Sequence, residues 1–303
     1  MIDQKIHKVI WSYSKRDLLR QCLRRYYFNY YGANKKTAKN EQRKDQIRFL
    51  KGITNRYMRT GQILHLAIKT YFKKSNVYSY GDNGLIKWAS DIFKKDIKYS
   101  SLDENDRLKL TFNYQPSILL EYFYKQEDAE KKCMESLERL ENALHNFINY
   151  PKISKLHQLA NDKDTIIEES IRIKKNNFNA SGKVDFSFKK DGKIYILDWK
   201  ISGDEIYDES LQLAFYGMWA MEENQYDPEN IKLYKICLSD FRIIPFPFNF
   251  SSYNRTKARL IQDIEKMFLL DIYGKNANYN VFSKCYPSKI CEFCQYQGIC
   301  RED

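Results

Sequence analysis

The chain has little of what interrupts regular structure and nothing that would insert into a bilayer. Its 303 residues include only 6 prolines and 11 glycines, and no repeat or low-complexity segment is visible. No apolar run approaches the roughly 20 residues that a membrane-spanning helix needs. With 43% hydrophobic and 30% charged residues, the chain is neither disordered nor a membrane protein. The scarcity of turn residues favours long helices over a strand-rich sandwich.

Two functional signals are also absent. The N-terminus has an early acid and no signal-peptide apolar segment, so we expect a cytoplasmic protein without a membrane partner. No helicase P-loop of the form G-x4-G-K-S/T occurs.

The positive charge is concentrated at one end of the chain. The net charge is +12, and residues 1–60 hold 16 Lys and Arg against 4 Asp and Glu. The other 243 residues balance, with 35 charges of each sign. A basic segment on a neutral body favours a polyanion such as nucleic acid, because basic side chains near phosphates release condensed counterions. The alternative is a lysine-rich solvated surface.

Aromatic residues lie between the basic residues of this segment. They could stack on the bases of a single strand or pack in the core. The tyrosines concerned are Tyr26, Tyr27, Tyr30 and Tyr31.

Hydrophobic periodicity predicts the secondary structure. Ser14 and Asp17 predict a capping box, and helices are predicted at about 56–73 and from near Pro116 to before Pro151. From residue 165 the apolar period changes to two, which predicts strands. The elements predicted there are strands 166–174, 184–188 and 193–200, helix 209–223, strand 231–238 and helix 254–270. This order predicts an α/β (α+β) fold, a mixed central β-sheet flanked by helices.

One predicted hairpin brings two acids together. Asp191-Gly192 is a preferred two-residue hairpin turn, which sets Asp185 opposite Asp198 and places Lys200 on the same strand face. Two carboxylates facing each other repel, whereas a divalent cation turns this repulsion into binding. Oxygen ligands of this kind suit Mg²⁺ or Mn²⁺. The alternative is a polar outer face on which both acids are solvated.

The same stretch resembles a known family. Gly182-x-x-Asp185 followed by Asp198-x-Lys200 is similar to the G-x-x-D and (D/E)-x-K core of the PD-(D/E)xK nuclease superfamily. Asp198-Trp199-Lys200 resembles the D-Y-K form of its RecB-type and Cas4-like branch. Two further pairs resemble motifs of that branch. They are Gly61-x-x-x-His65 and Gln212-x-x-x-Tyr216.

The resemblance implies a restriction-endonuclease-like core and a set of site residues. It implies metal ligation by His65, Asp185, Asp198 and the Trp199 backbone carbonyl, with Lys200 positioning the attacking water. It implies that Gln212 and Tyr216 orient Lys200 or contact the strand. The family's additional glutamate is not assigned by these motifs; Glu169 is one candidate, because it shares a predicted strand face with isoleucines.

The cysteines form a second pattern. Cys291, Cys294 and Cys300 have C-x2-C-x5-C spacing, and three thiolates need a fourth ligand to complete a metal site. Cys285 would complete a local zinc site, and Cys22 would close the site from the far end of the chain. The resemblance favours Cys22 and implies a [4Fe–4S] cluster. Zn²⁺ and ordinary free thiols are the alternatives. The remaining two cysteines, Cys133 and Cys237, are expected to be buried.

The resemblance also divides the chain into four predicted segments. These are 1–74, the N-terminal helical part with Cys22 and His65; 75–160, a helical insertion; 161–275, the nuclease core sheet; and 276–303, the Cys-rich tail.

The function expected from the motifs is a metal-dependent DNA nuclease. We expect a single-strand exonuclease in DNA repair, recombination or antiviral defence such as CRISPR adaptation, working with a helicase or defence-complex partner. The alternative is a non-catalytic DNA-binding or assembly module that uses a nuclease-like fold. The presence of Asp185, Asp198 and Lys200 argues against the alternative.

Overall fold

The computed structural model describes residues 9–33, 41–73, 81–109, 115–175, 178–202, 210–275, 279–286 and 288–302. The chain divides into two compact units. The first comprises the described residues of Met1–Arg59, Lys94–Cys133 and Gln262–Asp303, and the second those of Thr60–Phe93 and Met134–Ile261. The four segments expected from the sequence stay a prediction.

The helices, in chain order, are α1 Tyr13–Gln21, α2 Leu23–Tyr30, α3 Glu41–Lys51, α4 Arg56–Lys73, α5 Gly81–Ser101, α6 Glu104–Lys109, α7 Leu120–Phe123, α8 Ala129–Ile148, α9 Ile153–Leu159, α10 Ser210–Asn224, α11 Phe250–Lys275 and α12 Gln297–Glu302. The strands are β1 Ile10–Trp11, β2 Ile166–Lys175, β3 Phe178–Lys190, β4 Lys193–Lys200, β5 Ile231–Cys237 and β6 Arg242–Phe246. Among the described helices, none is long and apolar enough to cross a membrane.

The second unit is built on a mixed β-sheet. Strand β3 pairs antiparallel with β2 and β4, β4 pairs parallel with β5, and β5 pairs antiparallel with β6. The parallel pair needs a crossover connection, which α10 supplies, and α10 contacts β2, β3, β4 and β5. This arrangement confirms the predicted fold class.

Aromatic side chains anchor two more helices on the sheet. The Phe72 ring of α4 lies 4.6 Å from the Phe186 ring, and the Phe147 ring of α8 lies 5.5 Å from the Trp199 ring. All four side chains are buried. Since each ring excludes water from a large apolar area, these contacts hold α4 and α8 against the strands.

The predicted hairpin register is confirmed. Asp191 and Gly192 have φ values of 49° and 71°, which a two-residue type I′ turn requires at both central positions. Lys190 pairs with Lys193, and the pairing continues in step to Phe186 opposite Leu197. The turn alone therefore determines which residues of the two strands face each other.

Two predicted helix starts in the first unit differ from the structure. The N-cap of α1 is Ser12, whose side chain accepts a hydrogen bond from the Lys15 amide. The capping box predicted at Ser14 and Asp17 is wrong, because the helix begins before Ser14.

The single helix predicted from Pro116 is also interrupted. The Leu120 amide donates to the Thr54 carbonyl, and the Thr54 amide donates to the Ile118 carbonyl. This bridge keeps the backbone extended before α7. Lys125 and Asp128 then have positive φ values of 48° and 54°, so the chain turns before α8 begins.

Strand β6 was not predicted. This strand pairs with β5, and most of its residues are exposed. A strand that buries neither face lacks the alternation of apolar and polar residues on which the strand predictions were based. Pro245 is tolerated there because an edge position does not need every amide for pairing.

Candidate metal centre

Asp185 and Asp198 are both buried in the second unit, at 4% and 1% exposure. They lie one residue beyond the last paired residues of β3 and β4, Phe186 and Leu197. The Trp199 amide donates to Asp185 Oδ2 at 2.9 Å. The two acids are therefore held inside the protein and are not solvated on an outer face.

Helix α4 and strand β2 complete the acidic cluster. His65 Nδ1 lies 2.7 Å from Glu168 Oε1 and 3.5 Å from Asp185 Oδ1. One ligand atom from each of these three residues lies within 4.8 Å of the others. An imidazole and two carboxylates at this separation can hold a divalent cation.

The acid from β2 is Glu168, and not the neighbouring Glu169 considered from the sequence. The Glu168 side chain is 1% exposed, whereas the Glu169 side chain is 55% exposed and pairs with Lys73 at 3.2 Å. Glu168 has a φ of 52°, which breaks the strand alternation at that position. Strict alternation placed the wrong glutamate inward, and only the positive φ explains the shift.

Two lysines neutralise the buried acids. Lys200 Nζ lies 2.8 Å from Asp198 Oδ2, as their shared strand face predicts. Lys183 Nζ forms an ion pair with Glu168 Oε2. Each lysine is two residues from an aspartate on the same strand, Lys183 from Asp185 and Lys200 from Asp198. Strand alternation puts residues two apart on one face of the sheet.

The predicted Gln212 and Tyr216 pair connects α10 to β3. Gln212 donates to the Tyr216 hydroxyl at 2.7 Å, and this hydroxyl donates to the Lys183 carbonyl at 2.5 Å. Burial raises the pKa of Tyr216 well above its usual value, so the hydroxyl keeps its proton and can donate. The pair thus braces the β3 backbone two residues before Asp185.

The electrostatics of the cluster reflect crowded negative charge. Burial raises the pKa of Asp185 to about 7, with repulsion from Asp198 adding to it. Burial alone would lower the pKa of His65, but Asp185 and Glu168 outweigh burial and raise it. Burial would raise the pKa of Glu168, yet the hydrogen bond with His65 and the Lys183 ion pair lower it.

The residues fit a hard divalent cation. Among the described residues, Asp198 Oδ1 is a buried oxygen that accepts no hydrogen bond, so it has a lone pair available for a ligand. Three carboxylates and one imidazole match the preferences of Mg²⁺ or Mn²⁺. The Trp199 side chain is buried against Phe147, and the role of its backbone carbonyl stays a prediction.

The first unit brings together the predicted cluster ligands. Five thiols line one cavity of about 380 Å³. They belong to Cys22, Cys285, Cys291, Cys294 and Cys300. Burial raises the pKa of Cys294 to about 11. For Cys285, burial and the neighbouring thiols Cys22 and Cys291 together raise the pKa to about 12.

Such thiols fit a zinc ion or an iron–sulfur cluster, because the positive charge of either offsets the cost of ionising several thiols together. The other two cysteines, Cys133 and Cys237, are buried, as expected.

Part of the basic N-terminal segment serves the interior of the first unit. Of the four tyrosines considered for stacking, Tyr26, Tyr27 and Tyr31 are buried, and Tyr30 is exposed, at 39%. The described part of the segment also contains five buried basic residues, which are Arg16, Arg24, Arg25, Lys44 and Arg56. These basic side chains pack or pair inside the unit. Core packing likewise accounts for three of the four tyrosines considered for stacking.

The Arg56 guanidinium, for example, lies 2.9 Å from the buried Glu121 carboxylate. A buried ion pair of this kind holds two elements together and is not available to a phosphate. The charge that can contact a polyanion is therefore smaller than the sequence count suggests.

Comparison with known proteins identifies the family. The family model of the PD-(D/E)XK nuclease superfamily matches residues 10–301. The chain therefore belongs to the PD-(D/E)XK nuclease superfamily, whose nucleases hydrolyse nucleic acid and generally use divalent metals such as Mg²⁺ or Mn²⁺. A search of curated proteins finds no match.

Proposed function

We propose that the chain is a Mg²⁺- or Mn²⁺-dependent deoxyribonuclease. The observation that carries this proposal is the buried cluster of His65, Glu168, Asp185 and Asp198 beside Lys200. A structural protein gains nothing from burying three neighbouring carboxylates, because their repulsion costs free energy unless a cation binds.

The roles proposed for the residues follow from their contacts. His65, Glu168, Asp185 and Asp198 would hold the cation, which supplies Lewis acidity and positive charge at a phosphodiester. Lys200 extends from the same face as Asp198 and would orient the attacking water and stabilise charge on the phosphate. Gln212 and Tyr216 would keep β3 in place.

We further propose a [4Fe–4S] cluster held by Cys22, Cys291, Cys294 and Cys300. Their thiols line one cavity although Cys22 is more than 250 positions from the tail in the sequence. The cluster would join α2 to the tail of the first unit and stabilise it by binding only the folded chain. Zinc is the alternative occupant.

The finer activity is also a proposal. A single-strand exonuclease of DNA repair or antiviral defence, such as CRISPR adaptation, agrees with the RecB-like and Cas4-like motifs. It also agrees with a net charge of +12 and with the absence of a helicase P-loop from the sequence. A helicase or another defence protein would then supply the single strand.

The alternative is a non-catalytic DNA-binding module in a larger complex. It would bind DNA equally well with and without a divalent metal, and it would not need Lys200. The retained lysine and acids favour the enzyme.

The experiment compares cleavage of end-labelled single-stranded and duplex DNA with Mn²⁺, Mg²⁺ or chelator. We expect metal-dependent cleavage that Lys200→Ala abolishes and Lys190→Ala preserves, since Lys190 is an exposed lysine of the same hairpin. The product ladder distinguishes exonuclease from endonuclease action. Metal-independent binding without cleavage of either substrate would contradict the proposal and favour the binding module.

A further inference from the structure

The cavity of the first unit contains one thiol more than the proposed cluster needs. Cys285 lines it beside the four predicted ligands. We infer that Cys285 and Cys291 are a redox-modification site, where a reversible disulfide forms when no metal or cluster holds Cys291. The oxidant is a small disulfide such as oxidised glutathione. This inference is independent of the proposed nuclease activity.

The first argument is the position of the two sulfur atoms. Cys285 Sγ and Cys291 Sγ are 3.9 Å apart, a van der Waals contact. A disulfide bond is about 2.05 Å long, so the two sulfurs need to approach each other by roughly 2 Å. The two residues are six positions apart in the sequence, so the disulfide closes a short loop.

The second argument is access. Both thiols are partly exposed, and the cavity that they line has a volume of about 380 Å³. An attacking or leaving glutathione can therefore reach them. Cys294 is buried at 9% exposure, so an oxidant in the cavity reaches its sulfur less easily than those of Cys285 and Cys291.

The third argument separates Cys291 from Cys22, which also contacts Cys285. Cys22 is the N-cap of α2, and its sulfur accepts a hydrogen bond from the Arg25 amide at 3.5 Å. Forming a disulfide with Cys22 would remove this cap and join segments that are distant in sequence. The Cys291 sulfur is not the N-cap of a described helix. Cys291 is also closer to Cys285 in the sequence than Cys22 is.

The reaction proceeds in two exchange steps. One of the two thiolates attacks oxidised glutathione, which forms a mixed disulfide and releases one glutathione thiolate. The second thiolate then attacks the protein sulfur of the mixed disulfide and releases the other glutathione. The protein loses two electrons and two protons, and one glutathione disulfide becomes two glutathione thiols. The product blocks metal loading because Cys291 is no longer a thiolate.

The test uses the full chain, reduced, treated with chelator, and then exposed anaerobically to oxidised glutathione. After alkylation, digestion with trypsin and a Glu-specific protease cleaves after Lys284, Lys289 and Glu292. Cys291 is then separated from Cys294 and Cys300, so a Cys285–Cys291 crosslink is identified without ambiguity. We expect this crosslink and a fall from seven thiols to five.

Three comparisons make the result decisive. Cys285→Ser should abolish the crosslink and leave no thiol loss beyond slow glutathionylation, whereas Cys300→Ser should leave the crosslink intact. Zn²⁺ added before glutathione should suppress it, since bound thiolates do not react. A predominant Cys22–Cys285 crosslink, glutathionylated thiols without a crosslink, or a crosslink that Zn²⁺ does not suppress would each overturn the inference.

Discussion

Glu168 and Glu169 are adjacent in sequence but lie in opposite environments, which makes Glu168→Gln a sharp test of the metal centre. Glutamine keeps the size of the side chain but removes a charge that lies 2.7 Å from His65 and also pairs with Lys183. Whether Glu168 contacts the cation or orients His65, losing it should weaken metal affinity by about 10- to 100-fold. This corresponds to about 1.4–2.7 kcal/mol.

Glu169→Gln is the matched control. Its side chain is 55% exposed and contacts Lys73, and an exposed ion pair of this kind contributes at most about 1 kcal/mol to stability. The control should therefore leave metal activation unchanged.

The measurement is the rate of DNA cleavage as a function of Mn²⁺ concentration for the wild type and both variants. We expect the half-activating Mn²⁺ concentration to rise by at least about tenfold for Glu168→Gln alone. Circular dichroism and thermal unfolding confirm that each variant is folded. Equal Mn²⁺ dependence in the two variants, or a larger effect at Glu169, would refute the assignment of the buried acid.

Three further predictions concern stability and are measured by denaturant unfolding. Phe147 is 1% exposed, so Phe147→Ala should lower the free energy of unfolding by about 3–5 kcal/mol; a loss below 1 kcal/mol would show that its packing is loose. A Cβ at Gly182 would lie 2.6 Å from Phe215 Cε1, so Gly182→Ala should cost about 1–3 kcal/mol by overpacking; an unchanged or raised stability would contradict that contact. Ser12→Ala should cost about 1 kcal/mol through the lost N-cap, and more than Ser14→Ala; the reverse order would restore Ser14 as the cap.

The hairpin could be predicted from local sequence rules alone. The Asp191-Gly192 turn determines the register within a few residues, because both central positions adopt the positive φ values that the turn requires. That register places Asp185 and Asp198 at the same level of the sheet and Lys200 beside Asp198. The helix predicted at 56–73 is likewise observed as Arg56–Lys73, since its apolar spacing matches one helix face.

Long-range contacts decided two features that local rules predicted wrongly, the helix interruption near Leu119 and the burial of Glu168. The bridge at Thr54 interrupts a helix that periodicity predicted to be continuous, because hydrogen bonds from a distant segment outweigh helix propensity. The inward rotation of Glu168 depends on a single positive φ, which alternation does not predict. Its proximity to His65 depends on α4 packing against the strands.

The sequence by itself determined the fold class and the hairpin register, because these depend on periodicity and local turn geometry. Only the tertiary structure decided which glutamate is buried and that five thiols, including Cys285, share one cavity. The physical reason is that burial and side-chain proximity arise from packing between segments far apart in the chain, which no local pattern encodes.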